Sequence, residues 1–402
     1  VSTDRRNEHI TWTEEGVAHH APWHSENGTP APRRVVLADD RMKAATAHRL
    51  ARHGTALLWR GDYHNARQLL HALARRIDRA APTPEPDADP ARAFHRHRQA
   101  RRHRARVLGM LLVRLAGDHT LALRRAPDVR RACAQAYGPA RGPYVVSLTE
   151  LLGVLGALGW REKGVKVPAL GARLHPHYGV FAPVRGEYVD LVARAPLPSP
   201  GGPGPRTAFD LGTGTGVLAA VLARRGVERV VATDAAPRAL ACARENVARL
   251  GLAGRVEVHG PALYPPGRAA LVVCNPPWLP GRPVSTVEQG VYDPGGAMLH
   301  AFLDGLASRL LPGGEGWLVL SDLAERLGLR ARQELTDAIA SAGLRVAGRT
   351  DTRPRHPRAA DPDDPLHAAR AAEVTSLWRL TVRRPTDVPE LTPPDGGRAY
   401  GG

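Results

Sequence analysis

The chain of 402 residues is 43% hydrophobic and 24% charged, a globular composition with enough length for two domains. Its formal net charge of +17 is carried almost wholly by arginine, since Lys43, Lys163 and Lys166 are the only lysines, and three scattered cysteines exclude a disulfide framework and give no zinc spacing. The N-terminus has no apolar signal core and the uncharged run Leu151–Trp160 is about half of the ~20 residues a membrane span needs, so a soluble, cytoplasmic chain is expected.

Residues 1–32 are polar and aperiodic, with His19, His20, Pro22, Pro30 and Pro32, and read as a disordered tail. From Arg41 the pattern turns helical: Leu69, Leu70, Leu73 and Ile77 share one face, with Arg67, Arg75 and Arg79 around it. A proline-broken stretch, Ala80–Pro90, interrupts this pattern. A second helix is expected from His95 through Arg106 into Val107, Leu108, Leu111, Leu112 and Leu115, and a third over about Thr149–Leu158. Residues 33–160 are therefore expected to form an all-helical domain. Its charge is distinctive: Arg33–Arg131 holds 23 basic and 9 acidic residues, a net of +14, which leaves +3 for the rest of the chain. Such a segment suits a polyanion, or is a solvated helical face in an arginine-biased chain.

An extended link, 161–205, follows. Tyr178–Val184 reads as extended, Glu187–Ala195 as a helix, and Pro196–Pro205 as a Pro/Gly linker. His175 and His177 flank a proline without further ligand spacing, so they read as structural and no metal is expected. Tyr178, Phe181 and Tyr188 can line a pocket mouth or pack in a core. Across 206–385 the text alternates strand and helix: AFDL, RVVATD, RVEVH, ALVVC, GEGWLVLS, LRVAGRT and SLWRLTV are seven strands. This predicts an α/β, doubly wound sheet, with the last strand following the sixth as a terminal antiparallel hairpin. The hairpin opens where the parallel strands end, so the basic segment Thr350–Ala372, with Arg353, Arg355, His356, Arg358 and Arg370, should overhang any site there. Residues 386–402 read as a disordered tail.

Between the first strand and its helix lies Asp210-Leu211-Gly212-Thr213-Gly214-Thr215-Gly216. The third glycine comes one residue too early for the dinucleotide fingerprint GxGxxG, and Val217 holds its place. Glycines at this spacing let the backbone pass close under a bulky ligand. Asp234, at the end of the second strand, offers a carboxylate to both hydroxyls of a ribose. At the end of the fourth strand stands Asn275-Pro276-Pro277-Trp278. Two prolines stiffen this turn and remove two N–H donors. The Asn275 side-chain oxygen and the Pro276 carbonyl can then accept both hydrogens of a planar NH2, aiming its lone pair outward, while Trp278 offers a face for a flat substrate.

The DxGxGxG spacing resembles class I S-adenosylmethionine (SAM) methyltransferases, and NPPW resembles the signature of those that methylate planar nitrogen. The nearest resemblance is to the methyltransferase small-domain family that includes the release-factor glutamine N-methyltransferases. It covers about residues 175–350, with Pro183, Arg185 and Glu187 before a helix and Asp293-Pro-Gly-Gly before another. The resemblance implies a class I methyltransferase sheet and SAM as cofactor. It implies that Asp210, Gly212, Thr213, Gly214, Gly216, Asp234, Leu263 and Asn275 hold SAM, with Asn275, Pro276, Pro277 and Trp278 presenting the acceptor. One departure is Ala262, where those enzymes usually carry an acid for the adenine amino group; the Leu263 N–H and apolar walls are expected to serve instead.

The sequence thus reads as a SAM-dependent N-methyltransferase with a basic substrate-recognition domain. RNA, methylated on an exocyclic base nitrogen, is the favoured partner, with Arg96, Arg98, Arg101, Arg102 and Arg104 as a contact strip. A protein glutamine amide is the first alternative, because both acceptors are planar NH2 groups. A small-molecule acceptor and an inactive nucleic-acid-binding fold are the others.

Overall fold

The structure is a computed structural model, and it describes residues 8–80, 89–139, 141–199, 206–355 and 361–383. The expected C-terminal tail, and most of the two Pro-rich linkers, lie outside the described residues.

The N-terminal part is not all helical. It opens with a hairpin, β1 (His9–Glu14) and β2 (Val17–Pro22), followed by β3 (Arg34–Ala38), α1 (Ala44–Arg52), β4 (Thr55–Trp59), α2 (Tyr63–Ala80) and α3 (Pro90–Leu108). After these come β5 (Leu111–Leu115), α4 (Arg130–Tyr137), β6 (Tyr144–Ser147) and α5 (Leu148–Lys163). Strands β3-β4-β5-β6 form one sheet, parallel except for β6. Side chains alternate across it. Leu57, Trp59, Leu111, Val113, Tyr144 and Val146 face the helices, while Ala56, Leu58, Leu112 and Val145 face Ile10, Trp12 and Ala21 of the hairpin. Within the expected tail, the hairpin His9–Pro22 thus covers one face of the sheet. The expected second helix stops at Leu108, where Gly109 and Met110 turn the chain into β5. At its start Asp89 caps α3, its carboxylate accepting from the N–H groups of Ala91 and Arg92, with Pro90 in the first turn.

A short ribbon, β7 (Val165–Val167) and β8 (Ala172–Leu174), leads to α6 (Glu187–Arg194). The second domain then runs β9 (Thr207–Leu211), α7 (Val217–Arg224), β10 (Arg229–Thr233), α8 (Pro237–Arg249), β11 (Val256–His259), β12 (Ala269–Cys274) and α9 (Ala297–Arg309). It ends with β13 (Leu310–Ser321), α10 (Leu323–Arg326), α11 (Arg332–Ser341), β14 (Leu344–Thr352), α12 (His367–Ala371) and β15 (Thr375–Val382). The seven strands lie in the order β11-β10-β9-β12-β13-β15-β14. β15 is antiparallel to both neighbours and the other pairs are parallel. Ala208, Ala232, Val273 and Val319 point to α6 and α7 on one face, and Phe209, Val231, Val272 and Leu318 to α9 and α11 on the other. The strand order reverses between β9 and β12, and the crevice beyond their C-terminal ends is where such a sheet takes a ligand.

The two domains interlock beside that crevice. Arg161 of α5 pairs with Glu245 of α8 at 2.5 Å, and Arg238 of α8 pairs with Glu26 at 2.9 Å. The Thr286 N–H donates to Asn27 Oδ1 at 3.1 Å, and Arg98 of α3 reaches Glu288 at 3.1 Å. No helix among the described residues is long and apolar enough to cross a membrane.

Candidate active site

Two cavities meet at the C-terminal ends of β9 and β12. The larger, about 870 Å³, is walled by the Asp210–Leu218 turn, Asp234–Ala239, Ala262, Leu263, Pro277 and Met298. The second, about 620 Å³, lies between α3, the Phe181–Tyr188 segment, Pro276, Trp278 and Arg370 of α12. Phe181, Tyr188, Asn275 and Gly290 belong to both walls. The NPPW turn is therefore a partition: Pro277 faces the larger cavity, Pro276 the smaller, and Asn275 both.

The glycine turn is held from beneath. Asp210, at the end of β9, is 1% exposed, and its Oδ2 accepts from Thr213 Oγ1 at 2.6 Å and from the Ala219 N–H in the first turn of α7 at 3.0 Å. Burial pushes its carboxyl up to about 6, although these hydrogen bonds pull the other way. Gly212 and Gly214 both have positive φ, +69° and +55°. A Cβ on Gly212 would collide with the Met298 methyl, whereas one on Gly214 would project into open space. Gly216, with φ +82°, is not on the cavity wall. A Cβ there would meet Ala243 of α8 at an ordinary 3.4 Å contact, so it is the left-handed backbone at the start of α7 that calls for glycine.

Asp234 follows β10, and each of its oxygens accepts one backbone N–H: Oδ2 from Gly214 at 3.0 Å, Oδ1 from Ala236 at 2.9 Å. Each keeps a lone pair free for a further donor. Ala262 N–H donates to the Asp234 carbonyl at 3.2 Å, which brings Ala262 and Leu263 to the cavity wall.

At the partition, Asn275 Oδ1 accepts from the Trp278 indole N–H at 2.9 Å. This bond fixes which way the amide points and leaves one lone pair of Oδ1 for another donor. The Arg185 guanidinium sits over the Trp278 ring at 4.8 Å and Tyr188 meets it edge-on at 6.5 Å. Arg185 thus covers one face of the ring, and Trp278 as a whole lines the smaller cavity. Arg185 is itself held by Glu187 at 2.8 Å and by the fully buried Glu373 at 3.0 Å. Burial pushes the Cys274 thiol well above its ordinary range, so the residue beside Asn275 is a protonated core group.

The structure gives roles to residues that the sequence left without one. Asp293 is 5% exposed and accepts from the Met298 and Leu299 N–H groups, so it caps α9 across the kink at Gly295 and Gly296 and holds Met298 against the glycine turn. Glu26 contributes a carboxylate to the wall of the larger cavity from the N-terminal domain. Burial opposes its charge, but His24 and Arg238 outweigh that and hold it down at about 2. His175 and His177 are structural: His175 Nδ1 meets the Arg161 carbonyl at 2.6 Å, and His177 Nε2 meets Glu245 at 2.7 Å. No metal-binding group occurs among the described residues.

The five arginines expected to form one strip on α3 divide. Arg98 is only 8% exposed; it donates to Glu288 and to the Arg282 carbonyl and lies over the Tyr292 ring at 3.7 Å. Arg104 is paired with Asp78 at 2.9 Å. Arg101 and Arg102 are exposed and line the smaller cavity. Part of the expected overhang, His356 and Arg358, lies outside the described residues, but α12 brings Arg370 to the same cavity.

Comparison with known proteins agrees with this geometry. Residues 177–330 match the family model of the methyltransferase small domain. This part of the chain is a SAM-dependent methyltransferase domain, and SAM is its cofactor. A release factor glutamine methyltransferase from Cereibacter sphaeroides is 34% identical over 163 residues, covering 37% of this chain and 57% of that protein. A ribosomal protein L11 methyltransferase from Tolumonas auensis is 32% identical over 123 residues, covering 30% and 42%. The chain spans about half the length of the curated relatives it matches. The cradle suits the cofactor. The open space above Gly214 admits a bulky ligand, Asp234 has acceptor capacity left for hydroxyls, and 870 Å³ falls within the range of cofactor pockets.

Proposed function

We propose that the protein transfers a methyl group from SAM to the planar NH2 group of a macromolecular acceptor, in our reading an exocyclic base amine of RNA. The observation that carries this is Asn275, a side-chain amide on the walls of both cavities. The cofactor brings an activated methyl on a sulfonium sulfur, so the protein's task is orientation rather than acid–base work.

In this reading, Asp234 accepts from the ribose hydroxyls, the glycine turn passes under the donor, and Leu263 borders the adenine. The free lone pair of Asn275 Oδ1 and the Pro276 carbonyl accept the two N–H groups of the acceptor. The nitrogen lone pair then faces the larger cavity, a C–N bond forms as the C–S bond breaks, and the nitrogen gives up one proton to solvent. Trp278 acts twice, through its indole N–H on Asn275 and through its ring, which lines the smaller cavity. Val184, Leu279 and Val291 add apolar wall around it, which suits a flat ring.

A glutamine amide is the second reading, favoured by the similarity to a release factor glutamine methyltransferase. Methyl-labelled SAM supplied to lysate with the full chain, followed by separate RNase and protease digestion, distinguishes the two. Label in an N-methylated nucleoside supports the first reading, and label in N-methylglutamine the second. No label with active wild-type SAM binding would defeat both.

A further inference from the structure

The smaller cavity is apolar inside and cationic at its edge. Arg98, Arg101, Arg102, Arg185 and Arg370 all line it, with Glu288 as the one carboxylate on its wall. Three of these arginines are already neutralised: Arg98 by Glu288, Arg185 by Glu187 and Glu373, and Arg370 by Asp364 at 3.0 Å. Among the described residues no carboxylate pairs with Arg101 or Arg102, which are exposed on α3. Two neighbouring cations held at a cavity edge without counter-charge repel each other and favour an anionic occupant. Successive residues on a helix point about 100° apart, so these two guanidinium groups reach different positions on a ligand rather than one.

We infer that Arg101 and Arg102 form a phosphate clamp at the mouth of the acceptor cavity, gripping two phosphodiesters that bracket the nucleotide whose base enters beside Trp278. The inference rests on the base-amine reading for its occupant, yet it is tested without methyl transfer. Guanidinium groups bind phosphate through charge-assisted, often bidentate hydrogen bonds. The clamp also separates the two parts of recognition: the backbone is held on α3, in one domain, and the base by the NPPW turn, in the other. The arginines that are already paired hold the walls in place, and the two unpaired ones remain for the ligand.

The test is fluorescence anisotropy of the full chain with a labelled, mixed-sequence single-stranded RNA 12-mer at several salt concentrations. Each phosphate contact contributes about −0.7 to the slope of log affinity against log salt. R101A/R102A should therefore flatten the slope by ~1.4 and weaken binding at least tenfold at low salt. R101K/R102K keeps both charges and should retain the wild-type slope. Unchanged SAM affinity in each variant shows that it is folded. An unchanged slope in R101A/R102A, or a wild-type chain without salt-dependent RNA affinity, overturns the clamp. A flattened slope combined with methyl label recovered only in protein supports the clamp and overturns the base-amine reading.

Discussion

Arg98 and Glu288 are 190 residues apart in the chain and form a 3.1 Å ion pair across the domain boundary. The same guanidinium donates to the Arg282 carbonyl at 2.6 Å and covers Tyr292, so one side chain of the N-terminal domain grips the segment that follows NPPW at three points. That segment closes on itself through Leu279, whose N–H donates to the Val291 carbonyl and whose carbonyl accepts from Asp293. Since Asp293 caps α9, the N-terminal domain is linked through packed backbone to the wall of the cofactor cavity. Arg98→Ala should lower the unfolding free energy by about 2 kcal/mol, the scale of hydrogen bonds to a charged group. Arg98→Lys should not restore it, because an ammonium cannot make the fork and the stack together. Denaturant unfolding of the three proteins checks this.

The bond between Trp278 and Asn275 gives a finer test of the partition. Trp278→Phe keeps an aromatic ring but loses the N–H that fixes the Asn275 amide. Turnover should fall roughly tenfold with SAM affinity unchanged. Asn275→Ala should lower turnover by ~10²-fold or more, as for loss of an orienting group, and leave SAM affinity within about threefold. Single-turnover rates beside calorimetric SAM binding separate the two effects. Near-wild-type turnover in Asn275→Ala would remove the orienting role.

The cofactor cradle predicts a contrast between two substitutions. Asp234→Ala removes two acceptors and should weaken SAM binding at least tenfold. Gly214→Ala meets no protein atom, and its positive φ costs only about 1 kcal/mol. Its methyl projects into the cavity, however, so the variant should fold and fail to bind SAM. Calorimetry together with thermal unfolding shows whether affinity is lost while the fold remains.

Asp210 makes SAM binding depend on pH. Its carboxyl titrates at about 6 in the cofactor-free protein, because burial penalises the charge. A cofactor carrying a sulfonium and an ammonium favours the ionised form, so binding should release a proton near pH 6. SAM affinity should rise with pH from about 5 to 7 and then level, roughly tenfold weaker at pH 5 than at pH 7.5. The cofactor-free fold follows the opposite trend. Between about 4 and 6 the folded chain holds a proton that the unfolded chain has lost, so this group's contribution to stability declines as pH rises through that window. Asp210→Asn should flatten both profiles, measured by calorimetry in buffers of different ionisation enthalpy and by unfolding across pH.

The catalytic half was legible because its signals are local: glycines at a turn that requires positive φ, an acid ending a strand, two prolines in a row. The N-terminal half was not. Thr55–Trp59 is buried on both faces, so TALLW carries neither the alternation of a half-exposed strand nor a helical period, and it merges with the helices on either side. LLVRL at Leu111–Leu115, buried except at Arg114, is hidden for another reason: it continues the apolar positions of α3 in register. In His9–Glu14 the alternation is present, with Ile10 and Trp12 buried between exposed neighbours, but it is short and surrounded by histidine and proline. Arg98 shows another limit. Nothing in a row of arginines tells which one will find Glu288.

The hairpin at the start of the chain has a practical consequence. Deleting residues 1–32 to shorten the protein would remove Ile10, Trp12 and Ala21 from the sheet and leave Ala56, Leu58, Leu112 and Val145 facing water. It would also remove Glu26 from the wall of the cofactor cavity and Asn27 from Thr286. A truncated chain beginning at residue 33 should therefore be aggregation-prone and a poor SAM binder, although every residue of its methyltransferase motifs is intact.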